Sequence, residues 1–160
     1  MINQFQGEYQ WLSNFHYSLF KCDFKFLPLP RKYVFPTVEH YYQATKSATI
    51  EDFEKVLEAE TPGKAKRLGQ RIIMIPNWEQ WKERVMLEGV WAKFSQSPTL
   101  QQKLLATAGH DLMEGNYWND KYWGVCLKTN QGQNKLGQIL MHVRTILADH
   151  CFSTGRYYGT

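Results

Sequence analysis

Helix-start signals recur along this chain and cut most of it into short pieces. Pro36-Thr37 stands ahead of VEHYYQATK, Thr61-Pro62 ahead of GKAKRLGQR, Asn77 ahead of WEQWKERVMLEGVWAKF, and Ser97-Pro98 ahead of TLQQKLLATAG. A Ser, Thr or Asn side chain in that place can accept from the free amides of a first helical turn, and a proline at the first helical position gives up no hydrogen bond. The pattern predicts a helix from Thr37 that ends near Ser47 to Thr49, a second over Ile50–Glu58, and a third after Pro62. The longest helix is predicted to follow Asn77, with Leu87, Val90, Trp91 and Phe94 spaced i, i+3, i+4, i+7 toward a core. A further helix runs from Pro98 to a terminating Gly109, and Leu136, Ile139, Leu140, Val143 and Leu147 form the apolar stripe of a final one.

What precedes residue 36 reads differently. HYSLFKCDFKF and KYVF, around Pro28 and Pro30, read as short strands about a loop, and HDLMEG at 110–115 reads as another short strand. A polar, aromatic loop covers 116–133. At 160 residues with 43% hydrophobic content, one core can be buried without metals or crosslinks. The expected fold class is α+β: a single, mostly helical domain with a small N-terminal β-sheet.

Several function classes fall away on composition. Cys22, Cys126 and Cys151 are far apart and form no CxxC pair, and the five His form no HExxH, so neither a structural disulfide framework nor a protein-built metal site is expected. MINQFQGEYQW lacks the basic and apolar regions of a secretory leader. Apolar runs such as IIMI are far too short to span a bilayer, so a soluble, cytoplasmic protein without a membrane partner is expected. The formal charge of +4 suits a phosphate-bearing partner without requiring one.

Four groups of residues could carry chemistry. On a helical wheel Glu39, Gln43, Lys46 and Tyr42 fall within an arc of about 100°, while His40, Tyr41, Ala44 and Ala48 take the other side. That polar face is either an ordinary solvated surface or a reactive one. NYWNDKYWG, 116–124, is either a loop that stacks a ring beside a carboxylate or a turn whose Asn and Asp bond their own backbone while Trp118 and Trp123 plug the core. GQNKLG, 132–137, offers free helix-start amides of the kind that hold phosphate. Lys64, Arg67 and Arg71, spaced i, i+3, i+7, form a basic stripe that borders a pocket or is solvated. His110 and His142 are read as structural, and Cys126 has no neighbouring base in sequence.

Six blocks in order, LSNF (12–15), FPTVEHYYQATK (35–46), AKRLG (65–69), NWEQWKERVM (77–86), NDKYWG (119–124) and GQNKLG (132–137), resemble the NADAR family of ybiA-like N-glycosidases. The resemblance spans about residues 5–148. It implies a NADAR-like domain over 1–148 with a C-terminal tail over 149–160, and a hydrolase of N-glycosidic bonds to ribose. Its known substrates are ribosylamino-pyrimidine phosphates of riboflavin synthesis and ADP-ribose attached to guanine in nucleic acid, the latter in antitoxins to DNA-modifying ADP-ribosyltransferases. Ser47 departs from the aromatic common after the family's lysine, and the KCDFKFLPLPRKY stretch is longer than usual.

Carried onto this chain, the resemblance makes Glu39 the acid and Lys46 the amine that captures the ring-opened sugar as a Schiff base, with Asp120 as water activator or ribose ligand. Asn14, Tyr42, Gln43, Arg67, Asn119, Trp123, Gly132 and Asn134 are expected to bind substrate, and no cofactor is expected. ADP-ribosylated guanine is the expected substrate and a toxin ADP-ribosyltransferase the expected adversary. A riboflavin-pathway N-ribosyl nucleotide is the alternative substrate, and a non-catalytic ADP-ribose-binding module the alternative class.

Overall fold

Local caps set the helices. In the computed structural model, which describes residues 1–23, 26–29 and 32–153, Thr37, Thr49, Thr61 and Ser97 each accept a hydrogen bond from the amide three residues on. Such a cap is worth about 1 kcal/mol. A 3-10 helix over Gly7–Leu12 is followed by β1 (Phe20–Cys22), β2 (Tyr33–Phe35), α1 (Val38–Thr45), α2 (Ile50–Leu57) and α3 (Pro62–Gly69). Then come α4 (Trp78–Gln96), α5 (Pro98–Ala106), β3 (Gly115–Asn116), β4 (Val125–Cys126) and α6 (Lys135–Ser153). The described chain is α+β, mostly helical, with small sheets.

Two compact units share the chain. In Asn14–Lys93, β1 and β2 pair antiparallel with Phe20 opposite Phe35. Their rings stack at 5.8 Å, and both present edges to Tyr41, at 5.9 and 5.1 Å. Aromatic contacts of this kind add about 0.5–1.5 kcal/mol each beyond the area they bury. Around this cluster α1 packs on α2, α3 and β2. In Met1–Ser13 with Phe94–Thr160, Ile2 bridges Leu112, α5 packs on α6, and β3 pairs in parallel with β4.

Four expectations need correction. Helix α1 stops at Thr45 with Lys46 as its C-cap, short of 47–49, because the next residues leave to pair with another segment: Ala48 N–H bonds Ile73 and Ile75 N–H bonds the Lys46 carbonyl, each at 2.9 Å. Helices α4 and α6 are equally long, 19 residues. On α4, Leu87 and Trp91 are only half-buried, while Val85, Met86, Gly89, Val90, Lys93 and Phe94 face inward; Gly89 and Lys93 carry no apolar signal, so the stripe read from hydropathy was turned. The strand expected over 110–115 shrinks to a bridge at Leu112 and the two residues of β3.

Of the tail from 149, Asp149–Ser153 continue α6, and 154–160 lie outside the described residues, as do Phe24, Lys25, Pro30 and Arg31 of the N-terminal loop. Lys93 is 1% exposed, and burial pushes its amine down to about 7.

Candidate active site

Every residue of α1 is buried. The alternative of a solvated surface helix is therefore wrong: its polar face is enclosed as fully as its aromatic one. Thr37 starts the helix by accepting from His40 N–H at 3.1 Å. The His40 ring fixes the entry, with Nε2 donating to the Ala59 carbonyl at 2.9 Å and Nδ1 accepting from the Thr37 hydroxyl at 2.7 Å. Burial lowers the His40 pKa and so favours the neutral imidazole, the form in which Nδ1 accepts from that hydroxyl.

On the next turns Gln43 donates from Nε2 to Glu39 Oε1 at 2.8 Å. Both side chains are nine-tenths enclosed, at 5% and 7% exposed, so this bond is made away from water. Lys46 is 8% exposed. Burial lowers the basicity of its amine, and the Glu39 charge partly restores it. The structure thus brings together the acid, the amide and the amine that the sequence placed on one face. A buried lysine with reduced basicity is the form able to attack a carbonyl-like carbon.

Their neighbours are mostly supports. The Asn14 carbonyl accepts from Glu39 N–H at 3.1 Å, and its side-chain nitrogen lies 3.3 Å from the Met86 sulfur, so Asn14 ties the incoming chain to the first turn of α1. Tyr42, expected to stack a base, already meets the ring of Trp78 at 5.2 Å. Ser47 is wholly enclosed with its hydroxyl unpartnered among the described residues. Arg67 and Arg71 are exposed on and just after α3, and Lys64 pairs with Glu60, which is the solvated form of the basic stripe. Gly69, which sequence reasoning passed over, packs directly on Gln43; the available signal was a glycine inside an otherwise helical pattern.

The loop residues belong to the other unit. Asp120 Oδ1 accepts from the amides of Tyr122 and Trp123 at 3.1 and 2.9 Å. Its own amide donates to Asn116 Oδ1 and its carbonyl accepts from Asn116 Nδ2. The turn reading therefore holds for the carboxylate expected to activate water. Asn119 sits in the left-handed region at φ 66. Trp123 is half-buried and meets Tyr122 edge-on at 4.9 Å, whereas Trp118 is 57% exposed and plugs no core.

The helix-start anion site is also corrected. The amides of Asn134, Lys135 and Leu136 donate to the carbonyls of Gly124, Tyr122 and Trp123, leaving none of the three for phosphate. Asn134 accepts from Glu114 N–H at 3.0 Å and donates to the Leu112 carbonyl at 2.9 Å. Gly132 is a close-approach glycine: a Cβ there would lie 2.2 Å from the Gly124 carbonyl oxygen. GQNKLG builds the turn that seats α6. His110 and His142 are exposed, off the packed stripe, and have no core role.

The family model for the NADAR domain matches residues 2–148. The chain belongs to the NADAR family. This NADAR protein is 40% identical over 115 residues to N-glycosidase YbiA of Escherichia coli strain K12, covering 71% of each chain. It is 34% identical over 125 residues to the chloroplastic riboflavin biosynthesis protein PYRR of Zea mays, over 71% of this chain and 20% of that one. The NMR structure of E. coli YbiA superposes with a TM-score of 0.78 at 32% identity, covering 99% of this chain and 92% of that one. The NADAR protein is an enzyme, a hydrolase of N-glycosyl bonds. Among the described residues no helix is long and apolar enough to cross a membrane, and no group of three or more His, Cys, Asp or Glu could hold a metal ion.

Proposed function

We propose that Glu39 and Lys46 together break the bond between ribose C1 and an amine nitrogen, and that the substrate is ADP-ribose carried on guanine in nucleic acid. The observation behind the chemistry is the enclosure of both groups on one short helix and its C-cap, with the amine of Lys46 made less basic by burial. Neutral Lys46 attacks C1, the C1–N bond breaks, and Glu39 supplies the proton that the departing amine takes. The lysine nitrogen then sheds a proton, the C1–O4′ bond breaks with O4′ taking a proton, and the ring-opened sugar is an iminium on Lys46. Water adds to C1 with Glu39 accepting its proton, Glu39 returns that proton to the lysine nitrogen, and the lysine leaves as the free amine while C1 becomes the aldehyde of the released sugar.

A polyanionic substrate is favoured by Arg67 and Arg71, both exposed, the first on the helix that packs against α1. On this reading Asp120 keeps its loop folded through backbone bonds, and the enzyme reverses the damage of a DNA-modifying ADP-ribosyltransferase. A second substrate, a ribosylamino-pyrimidine phosphate, is favoured by similarity to a riboflavin biosynthesis protein.

The deciding experiment presents an oligonucleotide bearing ADP-ribosylated guanine and a ribosylamino-pyrimidine phosphate to the same preparation. Release of free ADP-ribose from the first, lost in Glu39→Gln and in Lys46→Ala, is the expected result; faster release from the second selects the alternative. Binding of ADP-ribose with no release from either compound, unchanged in Glu39→Gln, would make the chain a binding module instead.

A further inference from the structure

Gly69 closes α3 and belongs to the helix. It is not among the glycines with positive φ, so its backbone would accept alanine, and alanine would favour the helix. What forbids a side chain is Gln43: a Cβ at 69 would lie 2.0 Å from Gln43 Oε1, 2.7 Å from its Cδ and 3.0 Å from its Cβ. The carbonyl end of Gln43 is buried there and has no hydrogen-bond partner among the described residues, while its NH2 end donates to Glu39. Glu39 keeps an acceptor oxygen for that NH2 whether it holds the proton it donates or has given it up, whereas the reverse orientation would set oxygen against oxygen once the carboxylate is ionised.

Resting on the assignment of Glu39 as the acid, we infer that Gly69 is a positioning residue for the reaction. By carrying no side chain it lets the Gln43 amide lie with its oxygen on the Gly69 backbone and its nitrogen on Glu39, and so sets the angle of the carboxylate. Loss of that angle slows the chemical step without weakening the grip on the rest of the substrate.

Turnover of the faster of the two N-ribosyl compounds is measured in Gly69→Ala, Gln43→Ala and the double variant, with thermal unfolding recorded alongside. Each single change is expected to lower kcat about tenfold or more with KM held within about twofold. Because both act through one contact, the double variant should be no slower than Gln43→Ala, while regaining unfolding temperature that Gly69→Ala loses. Wild-type kcat in Gln43→Ala, or losses that add in the double variant, would leave Gly69 a packing residue and overturn the inference. Should Gly69→Ala not fold, Gln43→Glu keeps the shape and replaces the donor by an acceptor; undiminished kcat there overturns it equally. Glu39→Gln separates the two ideas, since an active Glu39→Gln defeats the catalytic assignment itself, whereas an inactive one beside a fully active Gln43→Ala defeats only the role of Gly69.

Discussion

Glu39 and Lys46 sit seven residues apart on one helix and its cap, both enclosed, and the charge of the first acts on the amine of the second. Burial is the larger influence and lowers the Lys46 pKa; Glu39 opposes it. Glu39→Gln removes the opposing influence, so Lys46 should become less basic still. The pH at which Lys46 is half-modified by an amine-reactive aldehyde, followed by mass spectrometry, is expected to fall in Glu39→Gln relative to the parent. A midpoint that stays put or rises would show that the carboxylate does not act on this amine.

Thr37 caps α1 and bonds the His40 ring, so Thr37→Val should cost about 1–2 kcal/mol by urea denaturation while Thr37→Ser costs far less. The same ring makes stability depend on acid. The His40 pKa is depressed in the folded state, so below about 6.5 the unfolded chain binds the extra proton, and stability is lost as pH falls through that window. His40→Gln should flatten the slope just below about pH 6.5. An unchanged slope would mean that the ring takes up its proton equally in the folded and unfolded chain.

Lys93 is the most deeply buried charge-bearing side chain on α4, its pKa lowered to about 7. Between about 7 and about 10.4 the unfolded chain carries the proton that the folded chain has shed, so this group makes stability rise with pH over that range. Lys93→Met keeps the length of the stem and removes the titration. Its unfolding temperature should exceed the parent's most at the acid end of the window and converge toward the basic end. A constant offset across the window would show that the amine keeps its ordinary basicity in the folded protein.

Asn134 holds two backbone groups from about twenty residues earlier, the Glu114 amide and the Leu112 carbonyl. Asn134→Ala should destabilise the protein by about 2 kcal/mol or more, since it leaves a donor and an acceptor unpaired as well as a non-glycine residue at φ 52. Inorganic phosphate, titrated while NMR follows the amides of Asn134, Lys135 and Leu136, should leave them unmoved. Saturable shifts at those amides would restore the helix-start anion site.

Much of this architecture is legible because it is local. Thr37, Thr61 and Ser97 each satisfy an amide three residues away, and such a contact depends on little beyond the intervening sequence. The spacing of Glu39, Gln43 and Lys46 is likewise a property of helical geometry, and it places them on one side whatever packs there. The short pairings β3 with β4, and Ser47 with Met74, were not legible: two residues or one carry no period to read. Nor was the inward stripe of α4, where a glycine and a lysine stand among the buried residues.

What the amino-acid order by itself determined is where helices begin and which polar side chains share a face. Only the tertiary structure decided that this face is enclosed, that the Asp120 oxygen and the α6 amides are already taken, and that Gln43 is held between Glu39 and a glycine 26 residues further on. The physical reason is reach. A cap or a wheel position is settled within one or two turns, whereas burial and the partner of an amide depend on segments distant along the chain, whose approach no local pattern records.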